Sequence, residues 1–388
     1  MKIIRRANSI FIVLFFAFLL VPMAKLNTKP DAVSEIDNRN LAKNPIEAFR
    51  SGGSFTSAVD AYISDRIGFR NNYIKAYEEA HDKVFGMLVH PSYMYGKNKQ
   101  IYARSDTFYF EDDAYLDSFV NHVSEMQHYC NDNGMYFVFT LSPDKSTIRS
   151  GLLPKGLYYD PSWMDRMFED LNANGVNTVD NRQLLQSLDA KGENVVNNKF
   201  DAAHYNDRGG YYCVNNVLQN IQTKFPNIHV NTKEEWNFGT KLEPLLSESE
   251  FVINEEVPMI THKEPIPIID KTSEYEDSVY RDPLYPTFVY FENTQRKKEG
   301  APRVLVFQGS HMNTYGYKFF ENACGEYIYV KNYVNVLNYQ YYCEKFKPDV
   351  VVFEVAQRTI GEYYFPIDKK EQYLQNIEAF EESRNGDN

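Results

Sequence analysis

The pattern of apolar and polar positions divides much of the chain into alternating strand-like and helix-like segments. Short continuous apolar runs rich in β-branched and aromatic residues are typical of strands buried on both faces. Such runs lie at 136–141, 176–179, 304–307, 327–330 and 348–355. Apolar residues at helical spacing, followed by Gly or Pro, predict helices. These helices are 114–131, 162–174, 182–188 and 209–225. The alternation predicts an α/β fold with a mainly parallel sheet.

Shifts in composition suggest how this fold is divided along the chain. Residues 61–226 and 301–383 carry the strand and helix patterns and are predicted to be two parts of one domain. Between them, 227–300 combines prolines and charges with short β-like pieces, which predicts a large insertion or a small β-rich subdomain. Residues 27–60 are polar and predict a linker or entry segment, and 384–388 predict a disordered polar tail.

Residues 1–26 have the pattern of an export signal. Lys2, Arg5 and Arg6 precede an apolar run at 10–21, which is the order of regions in a signal peptide. No small-x-small cleavage site follows, so a signal peptide and an uncleaved amino-terminal membrane anchor both remain open. In either case, the positive-inside rule predicts that the rest of the chain lies outside the cytoplasm.

Charge and cysteine content exclude several classes of function. The formal net charge of −12 argues against a nucleic-acid partner, because binding to phosphates requires clustered cations. It does not argue against a sugar polymer. The sequence has no nucleotide-binding motif and no Cys or His at zinc spacing, so we expect neither a cofactor nor a metal. The four cysteines are predicted to be buried thiols, and the sequence cannot pair them: Cys130, Cys213, Cys324 and Cys343.

Candidate chemistry begins at Ser310, which follows the apolar run 304–307. A buried strand delivers the residue after it to the carboxyl edge of the sheet, where α/β proteins bind their ligands. Upstream, Asp201 and His204 lie three residues apart in a loop before a predicted helix. A serine hydroxyl becomes a nucleophile when a histidine takes its proton and a carboxylate orients that histidine. The three residues are therefore a candidate catalytic triad.

Other polar residues follow the neighbouring strand-like runs. Asp144 and Lys145 leave the carboxyl end of 136–141, and Arg358 follows 348–355. Asp144 and Lys145 are second-rank site candidates, with an ion pair that caps the loop as the alternative.

Six motifs in a fixed order extend this picture across residues 45–365. They are Asp65-Arg66-Ile67-Gly68-Phe69-Arg70, Tyr95-Gly96-Lys97, Ser142-Pro143-Asp144-Lys145, Asp201 with His204-Tyr205-Asn206-Asp207-Arg208-Gly209-Gly210, Val304 with Gly309-Ser310, and Pro348-Asp349-Val350-Val351 with Glu354. Each is weak alone, but the ordered set resembles the alginate O-acetyltransferase group of SGNH-hydrolase-like proteins, to which DHHW proteins are related.

The resemblance implies a three-layer α/β/α SGNH-hydrolase-like fold with a circularly permuted motif order, since Asp and His precede Ser here. It implies that Ser310 is the acyl-accepting nucleophile, His204 the general base and Asp201 its orienter. Relatives commonly have Gly two positions before Ser, whereas Gly309 is adjacent. The Ser310 backbone N–H at the strand-to-helix turn is the expected oxyanion donor, and Gly309 would let the chain approach closely there. With the altered spacing, Gln308 is a further candidate that would donate from its side chain.

Alternatives to these roles remain in the same motifs. Many relatives have Asp-x-His, so Asp207 is an alternative orienter. His311 is a rival base because it adjoins the nucleophile, although it ranks below His204. Tyr205 and Arg358 are candidates to shape an acceptor groove, with packing as the alternative role.

The resemblance predicts an extracytoplasmic O-acetyltransferase that modifies an exopolysaccharide or cell-surface polysaccharide. Because acetyl-CoA is absent outside the cytoplasm, the resemblance also implies a membrane-bound O-acyltransferase partner that supplies acetyl groups. One alternative is a carbohydrate acetylesterase or deacetylase with the same triad. The other is a non-catalytic polysaccharide-binding or assembly protein on a degenerate SGNH fold.

Overall fold

A computed structural model describes residues 2–30, 32–34, 39–247, 249 and 251–386. The chain forms two compact units, of which the first comprises Met1–Pro91 and Glu243–Glu255 and the second Ser92–Leu242 and Glu256–Asn388.

The first unit is mainly helical. Its helices are Lys2–Ala24, Pro45–Arg50, Phe55–Arg66 and Arg70–Phe85. Arg66 is 2% exposed and donates hydrogen bonds to the carbonyls of Ala42 (2.8 Å) and Pro30 (3.1 Å), so it ties the preceding loop to its helix. Within the described part of the chain, no helix is both long and apolar enough to cross a membrane.

A seven-stranded sheet forms the centre of the second unit. From one edge to the other its strands are Thr178–Asp180, Tyr136–Ser142, Val350–Ala356, Arg303–Gln308, Glu326–Lys331, Phe288–Asn293 and Ile268–Asp270. The first five are parallel to one another, Phe288–Asn293 pairs antiparallel with Glu326–Lys331, and Ile268–Asp270 pairs antiparallel with Phe288–Asn293.

Helices cover both faces of this sheet. Leu305 and Phe307 pack on one face against the helix Asp113–Asp132, whereas Val304 and Val306 pack on the other against Asp207–Gln222. Successive residues point to opposite faces of a strand, so a strand buried on both sides must be apolar throughout. The mainly parallel three-layer α/β/α architecture expected from the sequence is confirmed.

The remaining elements of this unit are short or lie around the sheet. The other α-helices are Lys145–Ile148, Ser162–Ala173, Arg182–Ala190, Thr272–Tyr275, Thr294–Lys298, Ser310–Tyr315, Tyr317–Ala323, Tyr339–Phe346 and Lys370–Gly386. The strands Tyr93–Tyr95 and Ile101–Ala103 form a small antiparallel hairpin. The strands Trp236–Leu245 and Val252–His262 form another two-stranded sheet; their residues up to Leu242 and from Glu256 belong to this unit.

Two segments add detail to the sequence-based expectation. Within 227–300, expected to be a large insertion or a small β-rich subdomain, Phe288–Asn293 pairs with the central sheet and buries Phe288 and Tyr290 in its core. The polar tail expected to begin at residue 384 is helical through residue 386. There the helix Lys370–Gly386 is held by buried Ile377 and by a hydrogen bond from Arg384 to the Ser278 carbonyl. The last two residues of the predicted tail lie outside the described part.

Candidate active site

Three neighbouring parallel strands end beside one another at the centre of the sheet. Tyr136–Ser142 lies next to Val350–Ala356, which lies next to Arg303–Gln308. Because parallel strands have their carboxyl ends at one edge, the residues that follow them meet there. Each of the three strands brings one polar residue to this edge. Asp144 and Arg358 each lie two residues beyond the end of their strand, and so does Ser310.

A tight turn presents Ser310 at this edge. Gly309 precedes the helix Ser310–Tyr315, and its N–H donates to Glu354 Oε2 at 2.5 Å. A Cβ atom at Gly309 would lie 3.3 Å from both Glu354 Oε2 and Asn332 Nδ2, so glycine fits because neighbouring side chains approach closely. The buried Glu354 carboxylate therefore holds the turn from behind. Ser310 itself remains partly exposed.

The loop before the helix Asp207–Gln222 supplies the other two members of the predicted triad. Asn206 caps that helix by accepting from the Arg208 N–H at 3.0 Å. Its own amide donates to the Asn194 carbonyl at 2.8 Å, which fixes the loop. Asp201 has φ of 50°, a left-handed conformation that Asp tolerates better than most side chains.

Asp201, His204 and Ser310 form a continuous hydrogen-bonded row. His204 Nδ1 lies 2.6 Å from Asp201 Oδ1, and His204 Nε2 lies 2.9 Å from Ser310 Oγ. The His204 backbone N–H also donates to Asp201 Oδ1, at 3.2 Å. These distances match a nucleophile, a base and an orienting carboxylate. With Nδ1 directed to the carboxylate, a neutral imidazole here carries its proton on Nδ1, and Nε2 faces the hydroxyl.

Asp201 is held in its ionised form. Burial alone would raise its pKa, but the interactions with His204 and a hydrogen bond from Tyr315 outweigh burial and hold that pKa below its usual value. Tyr315 Oη donates to Asp201 Oδ2 at 2.5 Å. The helices Asp207–Gln222 and Ser310–Tyr315 approach closely at Gly210, where an added Cβ atom would lie 2.1 Å from the Tyr315 carbonyl oxygen. Glycine at this position thus lets Tyr315 reach the carboxylate.

A cation lies beside the imidazole and the hydroxyl. Arg358 Nη2 is 2.6 Å from His204 Nε2 and 3.2 Å from Ser310 Oγ, while its Nη1 donates to Asp144 Oδ1 at 2.5 Å. Burial raises the pKa of Asp144, and the nearby Arg358 and His204 counteract part of that rise. Arg358, which the sequence suggested for an acceptor groove or for packing, instead contacts two members of the candidate triad.

Two further ionisable groups, Lys331 and Glu354, are buried near the turn that carries Ser310. Burial raises the pKa of Glu354, whereas its hydrogen bonds and the nearby cations lower that pKa in part. Burial also lowers the pKa of Lys331 to about 8.

Several predicted site residues have other contacts. Lys145 Nζ donates to the carbonyls of Ile101 (2.7 Å) and Asn198 (2.6 Å), so it supports loops instead of joining the triad. Asp207 accepts from the Ile260 N–H at 2.6 Å and forms an ion pair with Lys318 at 2.8 Å. Asp207 is therefore placed as a link to other segments and not as the orienter of His204.

The expected oxyanion donors differ in their contacts. The Gly309 N–H donates to Glu354, so it is not free to bind an oxyanion. The Gln308 side chain is fully buried: its Oε1 accepts from the Tyr327 hydroxyl at 2.7 Å, and its Nε2 has no hydrogen-bond partner among the described residues. The donor role of Gln308 stays a prediction.

Two aromatic candidates pack behind the imidazole. His311 is fully buried, with its ring 4.5 Å from that of His204 and 4.7 Å from that of Tyr205. Burial, together with the neighbouring His204 and Arg358, lowers the pKa of His311 well below its usual value. Tyr205 is also fully buried, with its hydroxyl 3.3 Å from Ser142 Oγ, so it supports the site and does not line an acceptor groove.

No sequence pattern pointed to Tyr315, because its contact with Asp201 depends on the close approach of two helices. Glu354 lay within a recognised motif, but only the distance to Gly309 reveals its contact with the nucleophile turn. Across the described residues, no group of three or more His, Cys, Asp or Glu side chains is arranged to hold a metal ion. All four cysteines are free and buried.

The fold matches solved structures although the sequence matches no family model and no curated protein. PatB1 from Bacillus cereus superimposes with a TM-score of 0.53 at 12% identity, over 71% of this chain and 97% of PatB1. PatB1 with a sulfonyl adduct matches with a TM-score of 0.52 at 13% identity, over 69% and 95%. A DHHW family protein from Eubacterium siraeum matches with a TM-score of 0.50 at 13% identity, over 73% and 97%.

At these identities the similarity is one of fold. It confirms that the chain shares the fold of PatB1 and of the DHHW family protein, as the ordered motifs implied. The chain is thus an α/β protein of SGNH-hydrolase-like fold with a Ser–His–Asp row at the carboxyl edge of its sheet.

Proposed function

We propose that this protein is an extracytoplasmic O-acetyltransferase that modifies a polysaccharide through an acetyl-Ser310 intermediate. The observation that carries the proposal is the continuous row in which His204 Nε2 lies 2.9 Å from Ser310 Oγ and Nδ1 lies 2.6 Å from Asp201. A hydroxyl at this distance from an oriented imidazole is suited to nucleophilic attack on an ester carbonyl.

In the first half-reaction, His204 Nε2 takes the Ser310 proton as Oγ attacks the acetyl carbonyl carbon. The carbonyl π electrons move to oxygen, and collapse of the tetrahedral intermediate expels the donor alcohol, which receives the proton from His204. In the second half-reaction, His204 deprotonates a sugar hydroxyl, which attacks the carbonyl carbon of acetyl-Ser310. The bond between that carbon and Ser310 Oγ then breaks, and Oγ takes the proton from His204, which regenerates the serine. Asp201 stabilises the imidazolium in both steps.

The choice of acceptor and partner rests on the ordered sequence motifs. The motif resemblance supports a polysaccharide acceptor and a membrane-bound O-acyltransferase as the source of acetyl groups. The amino-terminal pattern at 1–26 supports placement outside the cytoplasm, as a secreted or membrane-anchored protein. No nucleotide or metal cofactor enters this scheme.

Product analysis with the purified full-length chain tests the proposal. We would incubate the chain with an activated acetyl ester, with and without acidic and neutral oligosaccharides, and analyse sugars and acetate by mass spectrometry and NMR. Acetylated sugar that depends on Ser310 supports the proposal. Free acetate without acetylated sugar would show that the protein is an esterase and not a transferase. An absence of turnover would contradict the enzymatic proposal in favour of a non-catalytic role.

A matched pair of variants controls this experiment. Ser310→Ala removes the proposed nucleophile, whereas Ser118→Ala removes an exposed hydroxyl that bonds only within its own helix, to the Ala114 carbonyl at 3.0 Å. We expect the first variant to lose acetyl transfer and the second to retain it.

A further inference from the structure

Two neighbouring hydrogen-bond donors face His204 Nε2, although this nitrogen has only one lone pair to accept them. A neutral imidazole whose Nδ1–H is directed to a carboxylate offers a single acceptor site at Nε2. Two donors compete for it: the Ser310 hydroxyl at 2.9 Å and Arg358 Nη2 at 2.6 Å. The guanidinium is the closer of the two, and it carries a charge that strengthens its hydrogen bond. The arrangement therefore limits how well His204 can accept the serine proton before substrate binds.

Arg358 is held firmly in this position. Its Nη1 donates to the fully buried Asp144 at 2.5 Å. The adjacent Gln357 is also anchored, since its Oε1 accepts from the Asp144 N–H at 3.2 Å and from Thr147 Oγ1 at 2.6 Å. A side chain fixed at both its guanidinium and its backbone turn is preorganised, so little reorganisation is needed when charge develops beside it.

The same guanidinium lies where an oxyanion would form. Arg358 Nη2 is 3.2 Å from Ser310 Oγ, and an oxygen on the carbon that Oγ attacks must lie next to Oγ. The Gly309 N–H, a backbone donor of the nucleophile turn, is already taken by Glu354 at 2.5 Å. Arg358 therefore supplies a charged donor beside Ser310 Oγ, whereas the Gly309 N–H is not free to donate.

We propose that Arg358 is a catalytic residue that exchanges its hydrogen bond from His204 Nε2 to the carbonyl oxygen of the acyl donor. This inference rests on the proposed acyl-transfer function. When the carbonyl oxygen accepts from Nη2, Nε2 is freed to accept the Ser310 proton. As the Oγ–C bond forms, the carbonyl π pair becomes an oxyanion that the guanidinium stabilises, and no proton leaves Arg358. Binding of the acyl donor thus activates the base.

Replacing Arg358 and supplying guanidinium from solution tests this role. We expect Arg358→Ala to lower kcat for an activated acetyl ester by about 100-fold or more, as loss of an oxyanion donor does elsewhere, with a smaller change in KM. Guanidinium chloride at concentrations that leave the fold intact should restore part of this activity, and sodium chloride at equal ionic strength should not. Arg358→Lys, which cannot bridge Asp144 and the nucleophile with a planar fork, should recover less than guanidinium does.

Arg166→Ala serves as the matched control, since Arg166 pairs with the exposed Asp113 and Asp117; it should keep wild-type kcat. A kcat of Arg358→Ala within a factor of a few of wild type would overturn the inference. A large loss without guanidinium rescue in a variant of unchanged thermal midpoint would overturn it too. If the wild-type chain fails to turn over the ester, the acyl-transfer function itself fails, which is a separate outcome.

Discussion

The two ends of the strand Arg303–Gln308 lie in charged surroundings of opposite character. At its amino end, Glu326 accepts from Arg303 and Lys297, and Lys297 also pairs with Glu292 at 2.7 Å. We call this group, together with Lys271, the amino-edge cluster. Its carboxylates each receive two cationic side chains, because Lys271 also pairs with Glu292 at 2.5 Å.

At the carboxyl end of the same strand, charges are less evenly matched. Asp144 and Glu354 are fully buried, and burial raises the pKa of each. Arg358 divides its guanidinium among Asp144, His204 and Ser310. In the amino-edge cluster, by contrast, burial of Glu326 is outweighed by Arg303 and Lys297, which lower its pKa to about 2.

This difference separates a stabilising role from a chemical one. Fully paired ions contribute to stability and resist changes of protonation, whereas incompletely matched ionisable groups in one place are typical of functional sites. Substitutions at the carboxyl edge should therefore change activity, and those at the amino edge should change stability.

The largest effect is expected for Asp201→Asn. An amide cannot stabilise the imidazolium and favours the wrong tautomer of His204, so kcat for acetyl transfer should fall about 1,000- to 10,000-fold. Steady-state kinetics with an activated acetyl ester measures this loss. Asp113→Asn, at an exposed carboxylate, is the control. Equal kcat values for the two variants would remove Asp201 from the mechanism.

A smaller loss is expected for Tyr315→Phe, which deletes the 2.5 Å hydrogen bond to Asp201 Oδ2. A hydrogen bond to a charged group contributes about 1.5–3 kcal/mol, and part of it should appear as a decrease in kcat of about tenfold. The hydroxyl helps to lower the pKa of Asp201, so its removal should raise that pKa and move the acidic limb of the kcat profile to higher pH. Tyr317→Phe, at a half-exposed ring in the next helix, should leave both kcat and the profile unchanged. A Tyr315→Phe profile identical to wild type would show that this hydroxyl has no part in positioning Asp201.

The smallest effect is expected for Glu326→Gln, and it should fall on stability alone. The cations that pair with Glu326 are partly exposed, so solvent screens them and the loss at neutral pH should be about 1 kcal/mol. The folded-state pKa of about 2 lies below the unfolded value of about 4.3. The stabilisation is therefore present above the unfolded pKa and is lost as pH falls toward 2. Urea unfolding at neutral and acidic pH should show the two proteins converging in acid, with kcat unaffected. A loss of activity without a loss of stability would contradict the division between the two edges.

The sequence predicted the central strands because residues such as Val304 and Leu305 are apolar on both faces, which only a covered sheet explains. It also predicted Asp201, His204 and Ser310, since their types and order match a chemical requirement. The contacts of Arg358 and Tyr315 could not be predicted, because they arise from the order of strands in the sheet and from the close approach of two helices.

Lys145, by contrast, was predicted to lie at the site and does not. It follows Asp144 directly in the chain, and for that reason both were expected there. The short helix that begins there instead directs the lysine to backbone carbonyls of other loops. Adjacency in the chain therefore did not predict a shared site, whereas adjacency of strand ends did.

The most direct test of the central claim is to identify the residue that carries the acyl group. The full-length chain would be treated briefly with an activated acetyl ester or a sulfonyl fluoride, quenched in acid, and mapped by peptide mass spectrometry. We expect a single modification on the peptide that contains Ser310, absent in Ser310→Ala and retained in Ser118→Ala. Modification that persists in Ser310→Ala, or that maps to another residue in wild type, would contradict it.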